Sequence, residues 1–303
     1  MTRGGAVEVS SLDRFTRAAE ATSADVITAY SSSFGLATRL LGTRHRRHVR
    51  NVYAMVRVAD EIVDGVAAEA GLDAEGQRAA LSSYVDETHR ALRDGYSTNL
   101  VLHAFARTAR ASGIGEDLTR PFFESMAADI AADADSDSLV AYDAGAHERY
   151  VYGSAEVVGL MCLRIFLRAE SRTEQELAAL EHGARQLGAA FQNVNFLRDL
   201  ADDTTRLHRG YLAGEHRLTD TDRDRWVATV RAQLADARAV MPLLPRDCRS
   251  AVRSAHDLFA ALADRVATTP TAELYRRRVR VPDALKIWLA VRATLRTRLE
   301  RAS

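Results

Sequence analysis

The chain has 303 residues, of which 47% are hydrophobic and 27% are charged, and its 41 basic residues balance its 41 acidic residues. This composition is ordinary for a soluble globular protein, and a chain without a basic excess is not expected to bind nucleic acid. Cys162 and Cys248 are too few for a disulfide framework, so a reduced, cytoplasmic location is expected. We find no signal segment and no run of 18 uncharged apolar residues, so the sequence predicts no transmembrane helix.

Helix-forming residues dominate the chain from end to end. Only five prolines interrupt segments rich in alanine, leucine, arginine and glutamate, which favour helix. In chain order, helical patterns cover residues 49–63, 76–94, 98–112, 121–134, 147–169, 173–206, 221–241, 246–267 and 283–301. Alternating strand patterns are hard to find, and no long repeat is visible. The sequence therefore predicts a single all-α domain over residues 1–303, of which about the first 20 are expected to be flexible.

Two histidines, His45 and His48, stand near the start of the first of these patterns. The nine histidines of the chain form no H-x-x-x-H or H-E-x-x-H element of the kind that binds zinc. Because arginines surround both residues in the sequence, a solvated helix face is favoured over a metal site.

An acidic cluster ends the stripe over 49–63. Asp60 and Asp64 are four residues apart, so on a helix they point the same way, one turn apart. Like charges at this spacing destabilise a helix by about 0.2–0.5 kcal/mol. Arg57 lies one turn earlier on the same face and can neutralise part of the charge.

A second cluster repeats this spacing with Asp199 and Asp203, directly after Arg198. Asn195 and Gln192 extend the polar face upstream in steps of about one turn. The remaining residues of this segment are mostly apolar and are expected to be buried, so the polar stripe stands out from its surroundings.

Two acidic pairs on facing helices are suited to hold Mg²⁺ ions around a diphosphate. Mg²⁺ takes oxygen ligands and is usually held by one or two carboxylates together with substrate phosphates. The ions and nearby arginines would stabilise the charge that develops as diphosphate leaves. A single pair of this kind is more often a solvated acidic face, so spacing alone leaves both interpretations open.

Several motifs, in their order along the chain, resemble the squalene/phytoene synthases, the head-to-head members of the trans-isoprenyl diphosphate synthases. The resemblance extends from about residue 25 to residue 290. It rests on the segments Tyr30–Phe34, Tyr53–Asp64, Tyr150–Gly159, Gln192–Asp203 and Arg209–Tyr211. Glu156 departs from the family, which has a small glycine there. It either brings a further carboxylate near the site or faces a neighbouring helix.

The resemblance implies an isoprenoid synthase helical bundle around a deep apolar cavity, and a role for each matched residue. The implied ligands of Mg²⁺, or alternatively of Mn²⁺, are Asp60, Asp64, Asn195, Asp199 and Asp203, supported by Gln192. The implied diphosphate-binding residues are Ser31, Ser33, Arg57, Arg198 and Arg209. The residues implied to line the reaction centre are Tyr53, Tyr150 and Tyr211, and those implied to shape the lipid channel are Phe34, Val158 and Gly159.

The reaction that the resemblance implies is the condensation of two geranylgeranyl diphosphates, through a cyclopropyl diphosphate, to phytoene in carotenoid biosynthesis. No nicotinamide cofactor is expected for it. A squalene or dehydrosqualene synthase acting on farnesyl diphosphate is the main alternative, because the depth of the cavity selects the chain length and a sequence does not display that depth. A terpene cyclase and a non-catalytic helical assembly factor are further alternatives. An assembly factor would be expected to lose aspartates from one cluster, and all four are present.

The implied substrate also suggests where the protein works. A lipid substrate leads us to expect contact with a membrane from its cytoplasmic face, without a visible anchor. Downstream carotenoid enzymes are the protein partners that the resemblance suggests.

Overall fold

Helices make up almost all of the described chain, so the all-α prediction is confirmed. The computed structural model describes residues 10–134, 140–141, 144–205, 209–210, 212 and 217–300. For residues 32–33, 131–134, 140–141, 144, 202–205 and 209–210 it describes the backbone alone. In chain order the α-helices are α1 (Ser11–Tyr30), α2 (Ser32–Arg39), α3 (Thr43–Val63), α4 (Val66–Glu69), α5 (Ala74–Asp94), α6 (Leu100–Ser112), α7 (Glu116–Ala134), α8 (Ala144–Val151), α9 (Val157–Leu167), α10 (Glu174–Thr205), α11 (Asp220–Val240), α12 (Arg246–Ala267), α13 (Thr271–Leu274) and α14 (Asp283–Leu299).

Capping residues set helix ends that the apolar pattern leaves undefined. Helix α1 begins at Ser11 because the Ser10 hydroxyl accepts a hydrogen bond from the Asp13 amide, at 3.0 Å. Residues 11–20, part of the segment expected to be flexible, therefore lie in a helix, which packs on α3 and α6. Helix α6 ends before Gly113, whose φ of 66° is the left-handed conformation that glycine adopts most readily.

Strand pairing in the described residues is limited to two short segments, β1 (Val140–Ala141) and β2 (Arg209–Gly210), which pair in parallel. The pairing joins the connection that follows α7 to the connection that follows α10. It brings the chain after the second acidic cluster beside a segment that follows α7.

The predicted helix over 147–169 contains a π-helical turn, Tyr152–Glu156, between α8 and α9. By length and composition alone, Gly145–Leu167 could cross a membrane, with a mean hydropathy of 1.4. It is not an uncharged run, because charged residues such as Glu156 and Arg164 interrupt it. This segment contacts α3, α7 and α10. Burial among these helices accounts for its apolar residues. Single π-turns inside α-helices are frequently found at functional sites.

The prediction of a solvated face for His45 and His48 is wrong, because both side chains are buried. His45 Nε2 lies 3.1 Å from an Asp247 carboxylate oxygen, and Arg44 pairs with Asp247 (2.6 Å) and with Glu170 (2.7 Å). Burial lowers the pKa of both histidines, that of His48 to about 4. The start of α3 is thus fixed to α12 by partners about 200 residues away, which local sequence does not reveal.

Two large groups of buried apolar side chains form the core. The first is built on α3, α5, α6, α7 and α9, and the second on α10, α11, α12 and α13. Helix α10 runs along the second group and also packs against α9. The space between the two groups is the cavity in which the predicted site residues meet.

Candidate active site

A cavity of about 1220 Å³ lies between the two core groups. Most of the side chains that line it are apolar and come from α2, α3, α9, α10 and α12. Its charged lining residues come from the end of α3, from α7, from the second half of α10 and from residues 278–286. Among the predicted site residues, the cavity is lined by Ser31, Phe34, Tyr53, Arg57, Asp60, Asp64, Tyr150, Gln192, Asn195, Arg198 and Asp199.

The first aspartate pair lies at the C-terminal end of α3, where Asp60 occupies the last turn and Asp64 caps the helix. The helix dipole makes this end partly negative, so carboxylates here are unfavourable without a cation. Arg57 is one compensating charge nearby: it lies 3.8 Å from Asp60 and forms a close ion pair with Glu61. Its guanidinium also stacks 4.6 Å from the centre of the Tyr30 ring.

Asp60 is strongly perturbed by this environment. Its side chain leaves 29% of its surface accessible, and it lines the cavity. Burial, and after it the charge of Asp64, raises the pKa of Asp60 to about 8. The end of α3 therefore places Asp60 and Asp64 in the cavity wall, where a bound cation would stabilise the Asp60 carboxylate.

The second cluster, in the second half of α10, is differently compensated. Arg198 binds Asp199 through two nitrogens, with Nε 2.8 Å from one carboxylate oxygen. Arg278, which precedes α14, binds the same carboxylate at 2.6 Å. Arg278 lies in the arginine-rich segment 276–280, and its pairing with Asp199 was not predicted from the sequence, because the two residues are 79 positions apart.

Tyr150 has a buried partner that the sequence analysis also missed. Its hydroxyl donates a 2.7 Å hydrogen bond to Asp129 on α7, and both side chains are buried. Asp129 lines the same cavity, and its charge is one of those that raise the pKa of Asp60. A sequence signal did exist, since Asp129 and Asp133 form a third pair at the spacing of four residues.

Aromatic residues line the cavity beside the polar groups. The ring of Phe34 lies about 6 Å from the rings of Tyr53, Phe191 and Phe259, and the last two stack with centroids 3.7 Å apart. Gly159 lets α9 approach α10, because a Cβ there would lie 2.5 Å from the carbonyl oxygen of Ala184. These contacts build an apolar wall of the cavity beside the charged residues.

Some predictions lie outside the described residues: the side chains of Ser33, Asp203 and Arg209, and the whole of Tyr211. Ser31, predicted to bind diphosphate, lines the cavity, and its hydroxyl also caps α2 by accepting a 3.0 Å hydrogen bond from the Phe34 amide. Glu156 faces a neighbouring helix, where the Arg185 Nε donates to it at 2.6 Å. It is not one of the residues that line the cavity.

Some of the residues that line the cavity carry oxygen atoms suited to bind a divalent cation. In the part of the chain that the structure describes, no group of three or more His, Cys, Asp or Glu side chains forms a ready-made metal site. However, the Asn195 amide oxygen is buried without a hydrogen-bond partner and belongs to a side chain that lines the cavity. Together with the carboxyl groups at the end of α3 that line the same cavity, this orphaned oxygen indicates oxygen donors suited to a divalent cation.

Comparisons with known proteins agree with this architecture. Residues 27–221 match the family model described as squalene/phytoene synthase. The chain is 28% identical over 284 residues to a 15-cis-phytoene synthase of Paracoccus sp., which covers 88% of both chains. It is 27% identical to the chloroplastic phytoene synthase 3 of Zea mays, over 97% of this chain and 70% of the maize protein.

Solved structures agree on the fold. A dehydrosqualene synthase crystal structure superposes with a TM-score of 0.71 at 21% identity, over 95% of this chain and 99% of that one. A squalene synthase from Alicyclobacillus acidocaldarius gives 0.66 at 17% identity, over 87% and 97%. At these identities the likeness shows the fold alone, whereas the family model covers well over half of the chain. The chain belongs to the squalene/phytoene synthase family.

Proposed function

We propose that this protein is a phytoene synthase that joins two geranylgeranyl diphosphates head to head. The observation that carries the proposal is that aspartates from α3 and α10, with arginines beside both, open onto one large apolar cavity. The names of its relatives from Paracoccus and maize support the same reaction.

In this proposal, the charged residues that line the cavity bind the two diphosphates. Arg57, Arg198 and Arg278 present guanidinium groups, which bind phosphate oxygens in a bidentate manner. Asp60, Asp64 and Asp199, with the Asn195 amide oxygen, would hold Mg²⁺ or Mn²⁺. When bound, the divalent cation neutralises the charge that develops on the departing diphosphate.

The reaction begins when the bond between C1 and the diphosphate oxygen of one substrate breaks and the diphosphate leaves with the electron pair. The double bond of the second substrate captures the allylic cation, and proton loss gives the cyclopropyl diphosphate. A second ionisation, rearrangement and proton loss then give phytoene. The rings of Phe34, Phe191 and Phe259 keep water away from these cations, since they form an apolar wall of the cavity.

The size of the cavity supports long substrates. Pockets for one drug-sized ligand usually measure about 300–1,000 Å³. The cavity here, at about 1220 Å³, exceeds that range, as a site for two prenyl chains must. It does not by itself separate twenty-carbon from fifteen-carbon substrates, so the substrate test must compare the two.

The test is product analysis after the purified protein is incubated with Mg²⁺ and either geranylgeranyl or farnesyl diphosphate, without nicotinamide. We expect phytoene from geranylgeranyl diphosphate and little product from farnesyl diphosphate. Dehydrosqualene or squalene from farnesyl diphosphate, with no phytoene, would keep the chemistry and contradict the chain length. A cyclic product from a single substrate would replace the proposal with a terpene cyclase.

Aspartate variants connect the product to the site. We expect Asp60→Asn and Asp199→Asn to lower turnover by about 10²–10³-fold, because each removes a charged group at the reacting diphosphate. The matched control is Asp86→Asn on α5, an exposed aspartate outside the cavity, which should keep wild-type turnover. Wild-type turnover in both site variants would overturn the assignment of the site.

A further inference from the structure

Helix α14 is apolar on two opposite faces. One face packs on α12 through buried side chains that include Leu289 and Ala293. The other carries five large apolar side chains that each leave 52–70% of their surface exposed: Ile287, Trp288, Val291, Leu295 and Leu299. Their spacing places them on one side of the helix. We call these five residues the outer stripe.

Among the described residues no other segment covers this stripe, and an exposed apolar stripe of this length is unusual on a protein surface. Single exposed apolar residues need no explanation, but a contiguous patch marks a binding surface. Core packing already accounts for the opposite face of α14, so burial inside the protein does not explain the outer stripe. The stripe is therefore expected to meet an apolar partner outside the chain.

The charge around the outer stripe indicates what that partner is. Residues 276–300 hold eight basic and two acidic residues, in a chain whose total charge is balanced. Several of the basic side chains are paired, for example Arg278 with Asp199. Four are exposed and make no ion pair among the described residues, namely Arg276, Arg280, Arg296 and Arg298. An apolar stripe with free arginines beside it is complementary to anionic phospholipid.

The position of α14 relative to the cavity also supports a phospholipid partner. Its first turn belongs to the cavity wall, where Asp283 and Lys286 are lining residues. A second, small pocket lies where α2, α12 and α14 meet, and it shares Phe34, Leu258 and Lys286 with the cavity. The helix that carries the outer stripe therefore also forms a wall of the apolar cavity.

We propose that the outer stripe of α14 docks the protein on the surface of an anionic phospholipid bilayer. The apolar side chains of the stripe enter the boundary between headgroups and acyl chains, and Arg296 and Arg298 bind the phosphate groups. In this orientation the wall that α14 shares with the cavity lies at the bilayer. This inference goes beyond the proposed reaction and does not depend on it, because docking requires no substrate.

The test is flotation of the full-length protein with phosphatidylcholine vesicles prepared with or without phosphatidylglycerol, in the absence of substrate. We expect binding to the anionic vesicles. The double variant Ile287→Gln/Leu295→Gln should bind them at least about tenfold more weakly, because it removes apolar surface from the contact. Arg296→Gln/Arg298→Gln should lose about fivefold per arginine, and only on anionic vesicles.

Matched controls separate the outer stripe from exposed residues in general. Leu12→Gln/Leu177→Gln replaces two leucines of similar exposure on α1 and α10, and Arg78→Gln/Arg90→Gln replaces two exposed arginines on α5. Both should bind vesicles like the wild type. A blue shift of tryptophan emission on vesicle binding should be lost in Trp288→Phe, which keeps Trp226. Circular dichroism and thermal unfolding confirm that each variant is folded.

Two outcomes would overturn the proposal. One is a vesicle assay that shows no role for the outer stripe, because folded wild-type protein binds neither kind of vesicle or because the stripe variants bind as well as the controls. The other is a dimer in lipid-free solution that the stripe variants dissociate while vesicle binding persists, which would assign the outer stripe to a second copy of the chain. Sedimentation velocity of the same variants distinguishes the second outcome.

Discussion

The aspartates at the end of α3 and the aspartate on α10 occupy the same cavity, but they are compensated in opposite ways. Asp60 lies 3.8 Å from one arginine, Arg57, which is also paired with Glu61. Asp199 alone holds two arginines, Arg198 and Arg278. Two aspartates at equivalent places in the sequence motifs, Asp60 and Asp199, thus meet different numbers of arginines once the chain is folded.

This difference assigns a different task to each cluster. Burial, and after it the charge of Asp64, raises the pKa of Asp60, so a cation bound at the end of α3 would stabilise the Asp60 carboxylate. The α10 cluster has guanidinium groups in place before any ligand arrives, so it is suited to receive the oxygens of a diphosphate. We therefore infer that cation binding begins at α3 and that diphosphate binding is supported mainly from α10.

The largest expected effect is on the pH dependence of cation binding at α3. Asp60, with a pKa of about 8, must lose a proton before it binds a cation, so affinity rises with pH up to about that value. Below it, affinity should fall by up to about tenfold per pH unit. A Mn²⁺ titration at each pH, monitored by electron paramagnetic resonance in the absence of diphosphate, measures this cation affinity. Asp60→Asn should bind weakly with a flatter profile, and an unchanged profile would contradict the assignment.

The next effect concerns Arg278. We expect Arg278→Gln to weaken the binding of inorganic pyrophosphate by about tenfold, since a charged hydrogen-bond donor to phosphate is lost. Cation binding at α3 should stay close to wild type, because Arg278 pairs with Asp199 and not with Asp60. Calorimetric titration with pyrophosphate gives the first value. Arg231→Gln, at an exposed ion pair with Asp264, is the control.

The two clusters should also respond in opposite directions when stability is measured without cations. Asp60→Asn should stabilise the protein by on the order of 1 kcal/mol at about pH 8, because it removes a buried, repelled charge. A folded pKa raised above the unfolded value costs stability as pH rises from about 4 to about 8, so this gain should disappear near pH 4.

Asp199→Asn should instead destabilise by a similar amount, because it leaves Arg198 and Arg278 without their carboxylate. Urea unfolding in the presence of a chelator measures both variants at the two pH values. Changes of the same sign in both would show that the clusters are compensated alike.

The smallest effect is that of Asp129→Asn. The amide oxygen can still accept the hydrogen bond from Tyr150, but the charge that contributes to the raised pKa of Asp60 is gone. The midpoint of the pH profile for Mn²⁺ binding should therefore move down by a few tenths of a pH unit. Tyr150→Phe keeps the Asp129 charge, so it serves as the comparison and should leave that midpoint in place or raise it.

Local patterns predicted most of the helices and the residues of the first cluster. The apolar spacing over 76–94 predicted a helix that the structure shows as α5, Ala74–Asp94. The pattern over 221–241 likewise predicted α11, Asp220–Val240. Asp60 and Asp64 lie one turn apart as predicted, because a helix fixes the direction of residues four apart regardless of what surrounds it. The π-turn at Tyr152–Glu156 was not predicted, since one extra residue in a turn leaves no periodic signal.

The sequence by itself determined the helical class, the family motifs and the donors that face a shared cavity, because these depend on spacings of three and four residues. Only the tertiary structure decided how those donors are compensated: it joined Arg278 to Asp199, Asp129 to Tyr150 and Asp247 to His45. It also decided that the outer stripe of α14 faces outward, although its apolar pattern resembles that of a core helix. Charge balance and exposure are set by contacts between distant segments, and local periodicity carries no information about them.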